Sequence, residues 1–151
     1  MPEKSNDDLK RVMGVDYGTT RVGLALSDPL QIIAQPLTTL LYKPGIIGEI
    51  TDIVHKEAVG LIVVGMPLNL KGQKGKKALE VEKFIETLTA SVGVEVIHWD
   101  ERFTTSIAHQ TLLAMGTKRG ERRTQKGRVD SMAAAILLQG FLDSRKRSLV
   151  C

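Results

Sequence analysis

Apolar residues dominate three short stretches near the start of the sequence, at residues 11–16, 22–27 and 32–41. A polar turn that begins at Gly18 separates the first two stretches, and Asp28-Pro29 precedes the third. Short apolar segments joined by brief turns are typical of β-strands that pair with their sequence neighbours. The pattern therefore predicts an antiparallel meander of three strands.

The pattern changes after Pro44-Gly45. From Ile46 onward, apolar residues recur with the spacing of one helix face, and the same spacing returns between Ala78 and Leu88. Between these two helices, residues 61–64 form a continuous apolar run, which is typical of a strand buried on both faces. The pattern then predicts a strand at 94–99, a helix at 104–116 and a last helix that starts near Asp130.

The predicted element order is βββ-α-β-α-β-α-α. Three antiparallel strands followed by alternating helices and strands indicate an α/β fold with a mixed five-stranded sheet and helices on both faces. This is a ribonuclease H-like arrangement. We expect a single domain over residues 11–144, between a mobile polar tail at 1–10 and a basic tail at 145–151.

The composition of the chain indicates which cellular environment and which kinds of binding surface to expect. The only cysteine, Cys151, excludes an internal disulfide and a cysteine metal cage, which favours a reducing, cytoplasmic location. No apolar run is long enough to cross a membrane, and residues 1–10 do not resemble a signal peptide. Aromatic residues make up only 4% of the chain, which argues against a broad base-stacking surface.

Basic residues cluster in three segments of the sequence. Residues 117–129 carry six basic side chains against one acidic side chain, and smaller clusters lie at 71–77 and 145–147. Such clusters suit the phosphate backbone of a nucleic acid, although a single basic loop can also serve solubility alone. The predicted substrate-binding residues in the first two segments are Lys71, Lys74, Lys118, Arg119, Arg122, Arg123 and Lys126.

Carboxylates stand at the ends of the predicted elements. Asp16 ends the first strand, Asp100 and Glu101 follow the fifth strand, and Asp130 lies where a basic loop meets the last helix. Carboxylate oxygens are ligands for Mg²⁺ or Mn²⁺, and nucleases of the two-metal type need such a set. Taken singly, each acid has a structural alternative: a turn at Asp16, an ion pair with Arg102, or a helix cap at Asp130.

Four segments of the chain resemble the YqgF/RuvX family in their order and spacing. They are Gly14-Val15-Asp16-Tyr17-Gly18 with the residues that follow to Asp28, Val63-Val64-Gly65-Met66-Pro67-Leu68-Asn69-Leu70-Lys71-Gly72, Asp100-Glu101-Arg102-Phe103-Thr104-Thr105, and Asp130-Ser131-Met132-Ala133 with the apolar run that follows. Members are described as Holliday junction resolvases by analogy with RuvC and as nucleases that mature the 5′ end of pre-16S rRNA. The resemblance implies a ribonuclease H-like fold, Mg²⁺ or Mn²⁺, and Asp16, Glu101 and Asp130 as catalytic and metal-binding residues.

The chain departs from the RuvC pattern at the end of the fourth strand. RuvC-like resolvases carry an acid there, whereas this chain has Gly65-Met66-Pro67. The second carboxylate must then come from the fifth strand, about 10 Å from Asp16 at a strand spacing of about 4.8 Å. The longer side chain favours Glu101, and Asp100 stays open as the alternative. Arg102 is then a phosphate-binding or structural partner.

Two further points concern single side chains. We expect Arg21 either to bind substrate or to pair with Asp28. The three histidines, His55, His98 and His109, have no spacing that indicates a metal site, and we expect structural roles for them.

The sequence predicts a metal-dependent phosphodiesterase that acts on nucleic acid, with RNA favoured and a DNA junction second. No membrane partner is expected, and the choice between a monomer and a homodimer stays open. Two other classes remain as alternatives. A nucleic-acid-binding module without activity could share the fold. The actin-like ATPases and sugar kinases share the Asp-x-Gly-Thr-Thr pattern but need two such domains, and 151 residues supply one.

Overall fold

The computed structural model describes residues 10–67, 73–101 and 126–150. The elements in these ranges are β1 (Arg11–Asp16), β2 (Arg21–Ser27), β3 (Ala34–Leu41), α1 (Ile46–Lys56), β4 (Val59–Met66), α2 (Lys76–Val92), β5 (Glu95–Asp100) and α3 (Lys126–Val150). None of these helices has the length and apolar character that crossing a bilayer would require. The helix predicted at 104–116 lies outside the described residues.

The five strands form one mixed sheet in the order β3-β2-β1-β4-β5. β1 pairs antiparallel with β2 and parallel with β4, and β4 pairs parallel with β5. The predicted meander and the predicted mixed sheet are therefore confirmed. Because β1, β4 and β5 run in the same direction, their carboxyl ends meet at one edge of the sheet.

Helices cover both faces of the sheet, as predicted. On one face, Met13 and Val15 of β1 belong to a buried cluster with residues of α1 and α2. On the other face, Val12 and Val63 pack with Leu138 and other residues of α3. The alternation along β1 follows from the pleat of a strand, in which neighbouring side chains point to opposite faces. This alternation determines which of the two helical layers each of the remaining residues of β1 faces.

Two glycines let α3 lie directly against the sheet. A Cβ atom added at Gly14 would lie 2.8 Å from Leu138 Cβ and 2.9 Å from the carbonyl oxygen of Ala134. A Cβ atom at Gly23 would overlap the carbonyl group of Asp130. Close backbone approach of this kind requires glycine. The start of α3 is thereby fixed against β1 and β2.

Some predicted boundaries differ from the structure. α3 begins at Lys126, before the predicted start near Asp130, because residues 126–129 show no apolar periodicity that would predict a helix. The same helix continues to Val150, through most of the segment that we expected to be a basic tail. β3 begins at Ala34, after Ile32 and Ile33, because these two residues donate their backbone N–H groups to the Asp28 carboxylate.

Candidate active site

Asp16 and Asp130 come together although more than a hundred residues separate them in the sequence. Asp16 is the last residue of β1 and, like Val12 and Gly14, belongs to the sheet face covered by α3. Its partner on β2 is Gly23, the glycine against which the backbone of Asp130 packs. The first turns of α3 therefore deliver Asp130 beside the end of β1.

Glu101 reaches the same face from β5. Trp99 of β5 packs against Phe141 of α3, with the ring centroids 5.6 Å apart, so Glu101, two residues further, lies on the same side. A Cβ atom added at Gly65 of β4 would lie 2.5 Å from Glu101 Oε1. The carboxylate of Glu101 thus lies over β4, the strand between β5 and β1. Space for it exists because position 65 has no side chain.

Asp100, the alternative to Glu101, is placed differently. It pairs in register with Met66, whose side chain belongs to the core beneath α1 and α2. Residues opposite each other on paired strands share a face of the sheet. Asp100 therefore lies on the side away from Asp130, and the geometry favours Glu101 as the second carboxylate.

The acids influence one another electrostatically. Burial raises the pKa of Asp16 to about 6, and the negative charges of Glu101 and Asp130 contribute in the same direction, while Lys77 opposes them. Burial also raises the pKa of Glu101, with Asp100 adding to the rise and Lys77 again lowering it. Negative charge is therefore in excess at this edge of the sheet, and a cation would relieve it.

Arg21 forms an ion pair with Asp130, with 2.8 Å between Nε and Oδ2. The alternative in which Arg21 pairs with Asp28 is wrong. Burial tends to raise the pKa of Asp28, but hydrogen bonds from the backbone of Ile33 and Ile32 outweigh it and hold that pKa below its usual value. Asp130 is not a helix cap either, because α3 begins four residues before it.

The donor set suits a hard divalent cation in its chemistry. Within the described residues, no three His, Cys, Asp or Glu side chains converge tightly enough to hold a metal ion. However, Mg²⁺ usually takes only one or two protein carboxylates and fills its other positions with water and substrate phosphate. The excess negative charge around Asp16 and Glu101 fits this requirement. Asp130 is already partly neutralised by Arg21.

The structure describes only some of the predicted substrate-binding residues. Lys74 forms an ion pair with Glu82 of α2, and Lys126 lies in the first turn of α3. The others that we predicted besides Arg21 lie outside the described residues: Lys71, Arg102, Lys118, Arg119, Arg122 and Arg123.

Lys77 belongs to the basic cluster at 71–77, but the sequence did not predict that it faces the carboxylates. It lies in the first turn of α2 and faces Asp16 and Glu101 closely enough to lower the pKa of each. A signal existed in the sequence, because lysine is unfavourable at the positive end of a helix and this first turn contains no acid. A cation in such a place suggests a local partner of negative charge.

Comparison with known proteins identifies the family. The model of the family described as "RuvX: Holliday junction resolvase" matches residues 10–144. This chain belongs to the RuvX family. The resemblance inferred from the four sequence segments is therefore confirmed.

Individual RuvX relatives align over almost the whole chain. A protein of Acetivibrio thermocellus named "Putative pre-16S rRNA nuclease" is 38% identical over 92% of this chain and 99% of its own length. A protein of Syntrophus aciditrophicus with the same name is 40% identical over 89% of both chains. The chain is thus similar to these relatives over most of its length.

Solved structures confirm the ribonuclease H-like fold. RuvC of Thermus thermophilus superposes with a TM-score of 0.59 and 15% identity over 91% of this chain and 96% of its own. The same protein in complex with a Holliday junction substrate gives 0.58 and 16% over the same shares. The fowlpox virus Holliday junction resolvase gives 0.54 and 10% over 89% of this chain and 99% of its own. At these identities the likeness concerns the fold alone.

Proposed function

We propose that this protein is a metal-dependent nuclease that hydrolyses phosphodiester bonds in RNA, and that it processes the 5′ end of pre-16S rRNA. The observation that carries the proposal is the meeting of Asp16, Glu101 and Asp130 at one edge and on one face of the sheet. Burying charged carboxylates together costs free energy unless they bind a cation. A catalytic use explains why the chain bears that cost.

Asp16, Glu101 and Asp130 would hold Mg²⁺ or Mn²⁺. Such ions, when bound, activate the attacking water and stabilise the leaving oxygen of a phosphodiester. Basic side chains of the protein bind the substrate and position the acids. Lys77 attracts phosphate to the carboxylate edge, and Arg21 holds Asp130 in place. The basic segments at 71–77 and 117–129 bind the substrate backbone.

The names of the relatives support RNA as the substrate. The family description and the RuvC-like fold support a DNA junction as the second candidate. Residues 11–144 form the catalytic domain in this proposal, in agreement with the matched range. We place the protein in the cytoplasm, because its one cysteine suits a reducing compartment and ribosomal RNA is processed there.

Parallel cleavage assays test the proposal. A labelled pre-16S rRNA 5′ fragment and a four-way DNA junction are incubated with the protein in Mn²⁺, each beside the Asp16→Asn variant. Asp52→Asn is the matched control, because Asp52 is an exposed aspartate on α1 outside the acid cluster. Binding of both substrates is measured in EDTA.

We expect cleavage of the RNA fragment by the wild type and by Asp52→Asn. Asp16→Asn should bind without cutting, because binding rests on the basic segments. Cleavage of the junction alone would replace rRNA processing with the resolvase function. Binding without cleavage in every case would favour a nucleic-acid-binding module, and full activity of Asp16→Asn would refute the proposed site.

A further inference from the structure

Half of the aromatic residues of this chain meet at one place. The sequence contains three phenylalanines, two tyrosines and one tryptophan. The ring of Tyr17 lies 5.5 Å from that of Tyr42 in an edge-to-face arrangement and 5.0 Å from that of Phe84. In a chain so poor in aromatic residues, this gathering of three rings calls for an explanation.

A cavity opens beside the three rings. Its volume is about 340 Å³, at the small end of the roughly 300–1,000 Å³ typical of ligand pockets. Besides the aromatic rings it is lined by Ile46, Ile47, Glu80, Lys83 and Thr87. Flat apolar walls with a few polar groups are the features that bind a planar ring and read its edge.

The rings differ in exposure in a way that suits binding. Tyr17 is buried, and its side chain is hydrogen-bonded to that of Tyr42. Tyr42 itself is 44% exposed, so this residue is partly open to solvent. Burial, together with this hydrogen bond, raises the pKa of Tyr17 to about 12, and the bond holds the two rings as one fixed wall of the cavity. Such a wall loses little conformational entropy when a ligand stacks on it.

The pocket lies next to the carboxylates. Tyr17 directly follows Asp16, and adjacent Cα atoms are about 3.8 Å apart. Asp16 faces the α3 side of the sheet, while Tyr17 packs on the α1 and α2 side. A nucleic-acid strand whose phosphate lies at Asp16 would reach the cavity by passing a neighbouring base around this end of the sheet.

We propose that the cavity formed by Tyr17, Tyr42 and Phe84 binds one unpaired nucleobase of the substrate strand, next to the phosphate that is cut. The inference rests on the proposed nuclease function and adds to it a requirement for a single-stranded or unpaired nucleotide at that position. Stacking on Tyr42 provides affinity, and the polar groups of Glu80, Lys83 and Thr87 face the edge of the base.

Binding measurements in EDTA test the pocket independently of cleavage. The probes are a short single-stranded RNA with the sequence of the pre-16S 5′ region and a set of the same RNA with one abasic nucleotide at each position in turn. Each is titrated with the wild type, Tyr42→Ala, Tyr42→Phe and Leu41→Ala. Leu41 is the matched control, because it is exposed, precedes Tyr42 and does not line the cavity.

We expect Tyr42→Ala to weaken binding of the intact RNA about tenfold, the usual effect of losing one stacked base. Leu41→Ala should bind like the wild type, and Tyr42→Phe, which keeps the ring but loses the hydrogen bond to Tyr17, should lose less than Tyr42→Ala. One abasic position should weaken wild-type binding by the same factor, and at that position Tyr42→Ala should cause no further loss, since the ring and the base interact with each other.

Additive losses at every abasic position, or unchanged binding by Tyr42→Ala, would overturn the base pocket while leaving the nuclease proposal intact. Absence of RNA binding by the wild type would instead refute the proposed function, and the pocket with it. Thermal unfolding of each variant shows whether a loss of binding reflects a loss of folding. For Tyr42→Phe, which keeps the ring, a tenfold loss would also contradict stacking.

Discussion

Asp16 combines burial with two acidic neighbours, and this makes its charge costly for folding. The pKa of Asp16 is about 6 in the folded protein and 3.8 without the fold. Folding is therefore favoured while Asp16 is protonated, and this advantage is lost as the pH rises from about 4 through 6. A carboxylate kept at such a cost fits the proposed catalytic role, because groups with perturbed pKa values often cluster at active sites.

Replacement of Asp16 by Asn should stabilise the metal-free protein at neutral pH. We expect a gain in the free energy of unfolding on the order of 2 kcal/mol at pH 7.5 and almost none near pH 4, because asparagine has no charge to bury. Urea unfolding in EDTA at a series of pH values measures it. Asp52→Asn is again the control, and a gain of equal size at every pH would contradict this explanation.

Ala58 has a backbone conformation that is unfavourable for alanine. Its φ is 54°, in the left-handed region, and it is held there between the end of α1 and β4, where its carbonyl accepts a hydrogen bond from the N–H of Arg11. Glycine adopts this region without steric cost. We expect Ala58→Gly to raise the free energy of unfolding by about 0.5–1 kcal/mol.

Ala90→Gly is the matched control for this substitution, because Ala90 is an exposed residue within α2. There glycine should lower the free energy of unfolding, since it is a poor helix former. Chemical unfolding of both variants under the same conditions measures the two effects. A lower free energy of unfolding for Ala58→Gly would show that the left-handed φ of Ala58 does not strain the wild type.

Pairing of β4 with β5 determines where the second carboxylate lies. This chain has Gly65 near the end of β4, where the RuvC pattern considered in the sequence analysis would have an acid. The missing side chain leaves the space that Glu101 occupies from the next strand. The absence of a side chain at Gly65 thus allows the neighbouring strand to supply the carboxylate.

Gly65→Ala should disturb the candidate active site and leave the fold intact. The new Cβ atom would lie 2.5 Å from Glu101 Oε1 and 3.0 Å from Leu137 Cδ2, which are both ends of flexible side chains that can move aside. We expect stability to change little and cleavage to fall at least about tenfold, because displacing a catalytic group by about 1 Å is costly. Cleavage rates and calorimetric titration with Mg²⁺ measure the effect.

Gly48→Ala is the control for Gly65→Ala, since a Cβ atom at Gly48 meets nothing within 4 Å. This variant should cut at the wild-type rate and unfold at a slightly higher temperature, as alanine favours a helix. Wild-type cleavage and Mg²⁺ binding by Gly65→Ala would show that the position of Glu101 over β4 is unimportant.

Charge is distributed unevenly over the molecule. The net charge is +4, but residues 117–129 alone contribute six basic side chains and one acidic one. Nucleic-acid binding by such a segment depends on the release of counterions and weakens as salt increases. Lys10, Arg11 and Lys56 lie at the opposite edge of the sheet, where β1 begins and α1 ends.

Neutralising the basic segment should reduce the salt dependence of RNA binding. We expect the combined variant Arg119→Gln, Arg122→Gln and Arg123→Gln to lower the slope of log K against log salt by about 2, at roughly 0.7 for each phosphate that the variant no longer neutralises. Lys10→Gln, Arg11→Gln and Lys56→Gln remove the same charge at the opposite edge and should leave the slope unchanged. Fluorescence anisotropy over a salt series measures both, and equal slopes would contradict localised binding of the RNA backbone.

Element type and order could be read from the chain because they follow from local periodicity. The stripe from Ile46 predicted α1, the apolar run at 61–64 predicted β4, and the order of elements predicted the mixed sheet. The first residues of α3 were not predicted because residues 126–129 show no apolar periodicity. The start of β3 was displaced by a hydrogen bond from backbone to Asp28, which periodicity does not reveal.

The acids at the ends of the predicted elements, together with the family resemblance, were enough to nominate Asp16, Asp130 and either Asp100 or the favoured Glu101, since hard cations require oxygen ligands. The sequence left three matters open: which face Glu101 occupies, which acid Arg21 pairs with, and which rings surround Tyr17. Each depends on residues far apart in the chain, so that strand register and the packing of α3 against Gly23 had to be known first. Separation along the sequence does not specify which residues lie close together in space, whereas strand pairing and helix packing do.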